Sequence, residues 1–219
     1  MAVGYNPSIV SDGLVFFIDP ANRRSYSGSG LTAYGLVGNI GGALINGTGF
    51  SSANNGSFIF DGSNQYISEP NNSIFNFASG FLTISVWVNF SNVSGQKSII
   101  TNYQSATGWA IQLYTGVIIT TSGDYNILTG TTIIQTNTWY HISITGSSNS
   151  YKLYINSQSE GNIHSGSVTF SSAGPLRMGQ IANGFYLNGR IGQVSMYNRA
   201  LSAEEILQNF NATRFRYGI

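Results

Sequence analysis

Eight carboxylates are the side chains of this sequence with the most scope for chemistry: Asp12, Asp19, Asp61, Glu69, Asp124, Glu160, Glu204 and Glu205. Only Glu204 and Glu205 are adjacent. A carboxylate pair can hydrolyse a glycosidic bond when its members stand about 5–5.5 Å apart for retention or about 6.5–9.5 Å for inversion. It can equally serve the start of a helix. His141 and His164 are the only histidines, and no local grouping of imidazoles with acids builds a metal site. Cysteine is absent, which removes disulfides and thiolate metal sites. No G-x-S-x-G elbow supports a serine nucleophile. The glycine-rich GNIGG (38–42) is not followed by a helix, so it reads as a turn and not as a phosphate loop.

The element around the acidic pair decides its role. Ser202 stands three residues before Glu205, the spacing of a capping box, and Leu201 and Ile206 hold the two positions of a hydrophobic staple. Glu204 falls in the first turn, where its charge complements the helix dipole. Ile206, Leu207 and Phe210 then share one helical face. The pair therefore reads as the cap of a short C-terminal helix. His141 lies on the second face of its strand, where it reads as a polar residue paired with a cross-strand neighbour.

Everywhere else the period is two. In LTISVWVNF (82–90), Leu82, Ile84, Val86, Val88 and Phe90 share a face, which predicts a strand with one strongly buried side. WYHISIT (139–145) places Tyr140, Ile142 and Ile144 inward, and YKLYIN (151–156) does the same with Tyr151, Leu153 and Ile155. The intervening GSSNS joins these two as a hairpin. Further strands are predicted near 13–19, 57–60, 65–68, 97–103, 108–114, 116–121, 124–128, 159–163, 167–170, 175–179 and 190–198. Short strands between Gly/Asn/Ser turns indicate a sandwich or barrel.

Composition sets limits. The chain has 219 residues, within the range of one large all-β domain. Charged residues make up 8%, against about 25% for an average soluble domain. No apolar run approaches the roughly 20 residues of a membrane-spanning helix. Polarity comes from Asn, Ser, Thr, Gln and Gly, which salt does not screen. A net charge of +1 without a basic block argues against a nucleic-acid surface. MAVGYNPSIVSDG (1–13) lacks the basic-then-apolar order of a secretory signal.

FDGSNQYI (60–67), LTISVWV (82–88), TWYHISIT (138–145), YKLYIN (151–156) and GRIGQVSMYNRALSAEEI (189–206) follow one another in an order that resembles the LamG-like, laminin-G-type, domain of the concanavalin A-like lectin/glucanase superfamily. The resemblance covers about residues 13–210. It implies an all-β, two-sheet antiparallel jelly-roll sandwich with one short C-terminal helix, an N-terminal arm at 1–12 and a tail at 211–219. GLVFFIDPANRRSYSGSG (13–30) and LQNFNATRFRYGI (207–219) resemble the ends of such domains in bacteriophage structural proteins. That implies a virion protein made in the bacterial cytoplasm, decorating a capsid or forming a fibre or appendage. Its partners would be other virion proteins or itself as a trimer, together with glycans of the host surface. Glucanase relatives carry carboxylates at alternate positions of one strand, and no two of the eight here do so. A non-enzymatic role is therefore expected, with a stand-alone lectin and a divergent glycoside hydrolase as the alternatives. Many relatives hold calcium. Asp61 is the candidate ligand here, yet the DGSN turn also suits it as a side-chain cap, and no cofactor is otherwise expected.

Sugars are held by aromatic plates and neutral hydrogen bonds. The candidates in loops and strand ends are Tyr103, Trp109, Tyr125, Asn183 and Tyr186. Trp109 opens the alternating WAIQLY strand, so core packing competes with a ligand role, while Trp87 and Trp139 read as packing. In the tail, Arg214, Phe215, Arg216 and Tyr217 alternate basic and aromatic residues. They could dock on a partner or fold back over a sheet edge.

Overall fold

The computed structural model describes residues 8–219 except 167, 169, 172, 173, 182 and 183. Its strands are β1 (Leu14–Ile18), β2 (Thr32–Tyr34), β3 (Gly41–Ile45), β4 (Gly49–Ser51), β5 (Ser57–Asp61), β6 (Tyr66–Glu69), β7 (Leu82–Phe90), β8 (Lys97–Thr101), β9 (Trp109–Tyr114), β10 (Val117–Ser122), β11 (Tyr125–Thr129), β12 (Trp139–Ser147), β13 (Ser150–Ile155), β14 (Gln158–Ser165), β15 (Leu176–Met178) and β16 (Asn188–Tyr197). Among the described residues one α-helix, α1 (Ala203–Thr213), follows. The strands form two antiparallel sheets. Sheet A has the order β14-β13-β12-β7-β16-β5-β4, with β1 also on β16, and sheet B has the order β11-β10-β9-β8-β15-β6-β3-β2.

The predicted alternation builds the space between the sheets. Leu82, Ile84, Val86, Val88 and Phe90 of β7, Tyr140, Ile142 and Ile144 of β12, and Tyr151, Leu153 and Ile155 of β13 all enter one core. Register places Val86 opposite Ile142 and Ile144 opposite Leu153. Three short strands, β2, β3 and β4, go beyond the sequence reading. β3 takes in Gly41 and Gly42 from the stretch read as a turn. Of the strand predicted at 167–170, the described residues show only a bridge from Phe170 to Phe77.

β7 corrects one expectation: all nine of its residues are buried, not one face alone. The reason lies at the C-terminus, which covers the outer face of sheet A. Trp87 stacks on Tyr217 with ring centroids 4.1 Å apart and on Phe210 at 5.8 Å. Its Nε1–H donates to Thr213 Oγ1 at 2.9 Å. Trp139 packs on the same tyrosine. The helix begins with the predicted box. Ser202 Oγ accepts from the Glu205 N–H, and Glu205 Oε2 accepts from the Ser202 N–H at 2.9 Å. Leu201 and Ile206 join one apolar cluster with Tyr197. Arg199 forks onto Glu205 at 2.8 and 2.6 Å, and this pairing above all holds that carboxyl below its ordinary range. The inward helical face is Ile206, Asn209, Phe210 and Thr213, whereas Leu207, expected there, is exposed. Asn209 can be buried because its Oδ1 accepts from the Val10 N–H and its Nδ2 donates to Tyr197 Oη.

The tail is part of the sandwich and not a separate segment. α1 runs past residue 210, and a 3₁₀ turn, Arg214–Tyr217, continues it. Arg216 pairs with Asp19 through both terminal nitrogens at 3.0 Å, and Tyr217 is buried with its hydroxyl accepting from the Gln193 N–H. These contacts remove Arg216 and Tyr217 as docking anchors. Arg214 lies over the Phe215 ring, which is exposed. The arm expected at 1–12 is described only from residue 8, and there Val10 is buried against Tyr197 and α1. Among the described residues no helix is long and apolar enough to cross a membrane.

Replacing Tyr217 by Ala should remove the ring that roofs Trp87 and lower the unfolding free energy by about 3–5 kcal/mol. Phe215→Ala, at an exposed ring, should stay within about 0.5 kcal/mol. Urea denaturation of the two variants, read by tryptophan fluorescence, checks the contrast.

Candidate functional site

With the centre of sheet A covered, the outer face of sheet B carries a hollow open to solvent. On β9 the inward residues are Trp109, Ile111 and Leu113, so Gln112 and Tyr114 point outward. On β10 Ile118 and Leu128-paired Thr120 are inward, leaving Ile119 and Thr121 outward. A β-bulge at Ile127 shifts the β10–β11 register between the Thr120–Leu128 and Thr121–Asn126 pairs, which turns Asn126 to the same outer face as Thr121.

These residues line a hollow of about 490 Å³. Its floor is Ile119 and Ile181. Tyr103, Tyr114 and Phe185 supply aromatic walls, and Gln96, Gln112, Thr121, Asn126 and Asp124 supply hydrogen-bonding groups. Gln96 Nε2 donates to Gln112 Oε1, fixing one amide by the other. Tyr103 Oη donates to Asp124 Oδ1 at 2.5 Å, which is the main reason the phenol's pKa is raised. Phe185 holds a left-handed backbone with φ of 50°, costly for a bulky residue, and its carbonyl accepts from the Ser98 N–H at 2.7 Å. Strain of this kind persists where the surroundings dictate it, and here it sets an aromatic ring at the rim of the hollow.

A second hollow, of about 600 Å³, lies on the other face of the β10–β11 hairpin tip. Tyr125, Ile127, Val168 and Ala106 give it an apolar wall, with His164, Thr107 and Ser122 beside them.

The predicted sugar-binding residues separate in space. Tyr103 is in the first hollow and Tyr125 in the second. Trp109 is fully buried between the sheets, 6.5 Å from Phe77, and is a core residue and not a plate. Tyr186 lines neither hollow among the described residues and rests against Tyr66. Asn183 lies outside the described residues. The sequence reading missed Gln112 and Tyr114, although both occupy the outward positions of WAIQLY. It also missed Gln96, Thr121, Asn126 and Phe185, which only the tertiary fold brings together. Asp61 spends Oδ1 on its own turn, accepting from Ser63 N–H at 2.8 Å and Asn64 N–H at 3.4 Å. No cluster of three His, Cys, Asp or Glu suited to a metal occurs among the described residues.

The family model described as the concanavalin A-like lectin/glucanases superfamily matches residues 61–207. This chain belongs to that superfamily. Solved structures agree on the concanavalin A-like sandwich. The binding domain of Paraclostridial Mosquitocidal Protein 1 superposes with a TM-score of 0.74 at 21% identity, covering 92% of this chain and 52% of that one. Domain 4 of AbnA, an extracellular GH43 arabinanase from Geobacillus stearothermophilus, solved in complex with arabinotriose, gives 0.70 at 17% identity over 90% of this chain and 97% of that one. A mutant Trypanosoma rangeli sialidase displaying trans-sialidase activity gives 0.73 at 16% identity, and this chain covers only 34% of it. No curated protein sequence matches the chain.

Two titratable groups of this concanavalin A-like domain are buried away from both hollows. Glu69 faces the core from β6, its carboxyl oxygens without hydrogen-bond partners, and burial raises its pKa to about 8. His141 sits opposite Trp87, the cross-strand pairing expected for it, with ring contacts to Trp87 and Phe210, and burial lowers its pKa to about 3. Between pH 4.5 and about 8 the folded state keeps a Glu69 proton that the unfolded chain has lost, so stability falls as pH rises. Between about 3 and 6.5 the unfolded chain holds a His141 proton that the folded state refuses, so stability falls as pH drops. The two slopes oppose each other between 4.5 and 6.5. Thermal midpoints should therefore peak in that mildly acidic range, and Glu69→Gln should flatten the decline on the alkaline side.

Proposed function

We propose that this protein is a non-enzymatic glycan-binding module whose site is the hollow on the outer face of sheet B. The observation that carries the proposal is chemical. Three aromatic walls, Tyr103, Tyr114 and Phe185, enclose amides and hydroxyls on the sheet face that the C-terminal segment leaves uncovered. Apolar sugar faces suit such rings, and sugar hydroxyls suit paired amides such as Gln96 and Gln112. Support comes from the mosquitocidal binding domain and from the arabinanase domain in complex with arabinotriose, which share the fold.

The disposition of the acids supports binding over hydrolysis. Asp12 and Glu205 pair with Arg199, and Asp19 pairs with Arg216. Asp61 caps its turn, Glu69 is buried in the core, and Glu204 accepts from Ser202. Glu160 is held by Thr131 and Thr132. Asp124 alone lines a hollow among the described residues, and the two-carboxylate mechanism needs a second. The setting proposed with this activity is a phage virion in which the chain acts as a trimer, as the terminal segments imply. Light scattering at three times 23.5 kDa would support the trimer, and a monomer would overturn it.

A glycan array followed by titration of the strongest ligand tests the binding site. Tyr114→Ala and Asn126→Ala should each weaken binding about tenfold or more, the equivalent of about 1.4 kcal/mol. Affinity should change less than about twofold from low to high salt, because neutral groups make the contacts. Chelation by EDTA should leave it unchanged, since Asp61 is engaged in its turn. Absence of any glycan binding, or cleavage of the ligand during titration, would overturn the proposal.

A further inference from the structure

Gly123 and Asn126 line both hollows. The two depressions therefore meet at the tip of the β10–β11 hairpin. Pairing there explains the arrangement: Thr121 and Asn126 face the first hollow, and the next pair, Ser122 and Tyr125, faces the second. Between them the turn is Gly123–Asp124. Gly123 has φ of 54° and lies close against the 106–108 loop: its N–H donates to Gly108 O at 2.7 Å and a Cβ there would stand 3.0 Å from the Ala106 carbonyl, so glycine keeps a side chain out of the crossing point. Beyond the crossing, Tyr125 is 80% exposed on the wall of the second hollow. A tyrosine ring left so open, beside Ile127 and Val168, is a ready plate for an apolar sugar face. Each hollow by itself falls in the range of about 300–1,000 Å³ that takes a complete small ligand. Together they exceed what a single sugar unit fills.

Charge narrows the ligand further. No Lys or Arg lines either hollow among the described residues, and the residues outside the described set between 8 and 219 are all uncharged. Arg177 shares the outer face of sheet B but stands on β15, with β8 between it and the β9 residues of the first hollow. Lys97 is turned to backbone carbonyls, donating to Ser94 O at 2.7 Å. The anionic group at the crossing is Asp124, held by Tyr103. A carboxylate-bearing sugar laid in the first hollow would meet the like charge of Asp124 and no basic side chain among the described residues. Like-charge juxtaposition of this kind is a means of excluding the wrong ligand.

The geometry points to an uncharged oligosaccharide chain that lies in the first hollow, crosses the hairpin tip over Gly123 and stacks its further units on Tyr125 in the second. This inference rests on the glycan-binding reading of the first hollow. It adds the length of the ligand, its charge and a second aromatic subsite.

The test is an array of neutral and uronate- or sialate-bearing oligosaccharides of matched length, from disaccharide to hexasaccharide, read with the full chain. The best neutral series is then titrated calorimetrically. Neutral chains should bind at least about tenfold more tightly than acidic ones, and affinity should rise with length beyond the disaccharide. Tyr125→Ala should cost the hexasaccharide about tenfold more than it costs the disaccharide. Asp124→Asn should narrow the gap between neutral and acidic chains. Acidic chains binding as well as neutral ones, affinity independent of length, or equal losses for both lengths in Tyr125→Ala would overturn the inference while leaving the first hollow as a glycan site. An array silent for every glycan would overturn both.

Discussion

Trp87 lies near the middle of sheet A with its indole on the outer side, and a ring of that size on a bare sheet face would expose a broad apolar surface. The C-terminal segment covers it: Tyr217 stacks face to face on the indole, and Thr213 accepts its N–H. Gly192, on neighbouring β16, makes the approach possible, because a Cβ there would collide with the Tyr217 ring. Asp19 and Arg216 then tie the chain end to the segment after β1. Covering this face has a consequence for function. A two-layer sandwich has two outer faces, and with the helix and the 3₁₀ turn on one, the hollow proposed as the glycan site lies on the other.

The inward half of the fold was legible because burial between two sheets imposes a strict period of two. Leu82 to Phe90 and Tyr140 to Ile155 declare their faces residue by residue. The capping box was legible for a similar reason: Ser202, Glu205, Leu201 and Ile206 satisfy one another within a few residues, so local sequence holds the whole motif. Where the reading failed, a distant partner had overridden the local pattern. Leu207 yielded the inner helical face to Asn209, whose burial is licensed by Tyr197 and by Val10, 199 positions away in the chain. Gly41 and Gly42 looked like turn residues. Gly42 is small because the Glu69 carboxyl occupies the space a Cβ would need, a strand–strand constraint that composition does not reveal.

The site was less legible than the fold. Trp109 and Tyr114 stand five residues apart on one strand, yet the first is inside and the second at the hollow. Alternation distinguishes them once the strand's inward face is fixed, so Tyr114 and Gln112 were within reach of the sequence. Asn126 was not. The bulge at Ile127 reverses the facing that simple alternation would assign, and bulges leave no dependable mark in a single sequence. Phe185 owes its place to a strained backbone and to a carbonyl bond from Ser98 on β8, neither of which a residue pattern encodes. The family likeness could be seen without the site because its most specific block, at 189–206, is contiguous, whereas the hollow gathers residues from 96 to 185.

The low charge of the chain and the character of the hollow have a common physical basis. With 8% charged residues, most of the carboxylates are engaged by an arginine, a hydroxyl or a turn, and the polar lining of the hollow is mainly amides and hydroxyls. Such groups give up less hydration than ions do when a ligand displaces water, and they offer both donors and acceptors to sugar hydroxyls. A rigid sheet adds the other half of the economy. Gln112, Ile119 and Thr121 are already buried and ordered at the floor of the hollow, so little conformational entropy remains to be lost there on binding. On the proposed function, recognition at this surface is a matter of shape and matched hydrogen bonds. The acids that cap the helix, pair with arginine or close a turn lie outside the hollow, where Asp124 is the one carboxylate among the described residues.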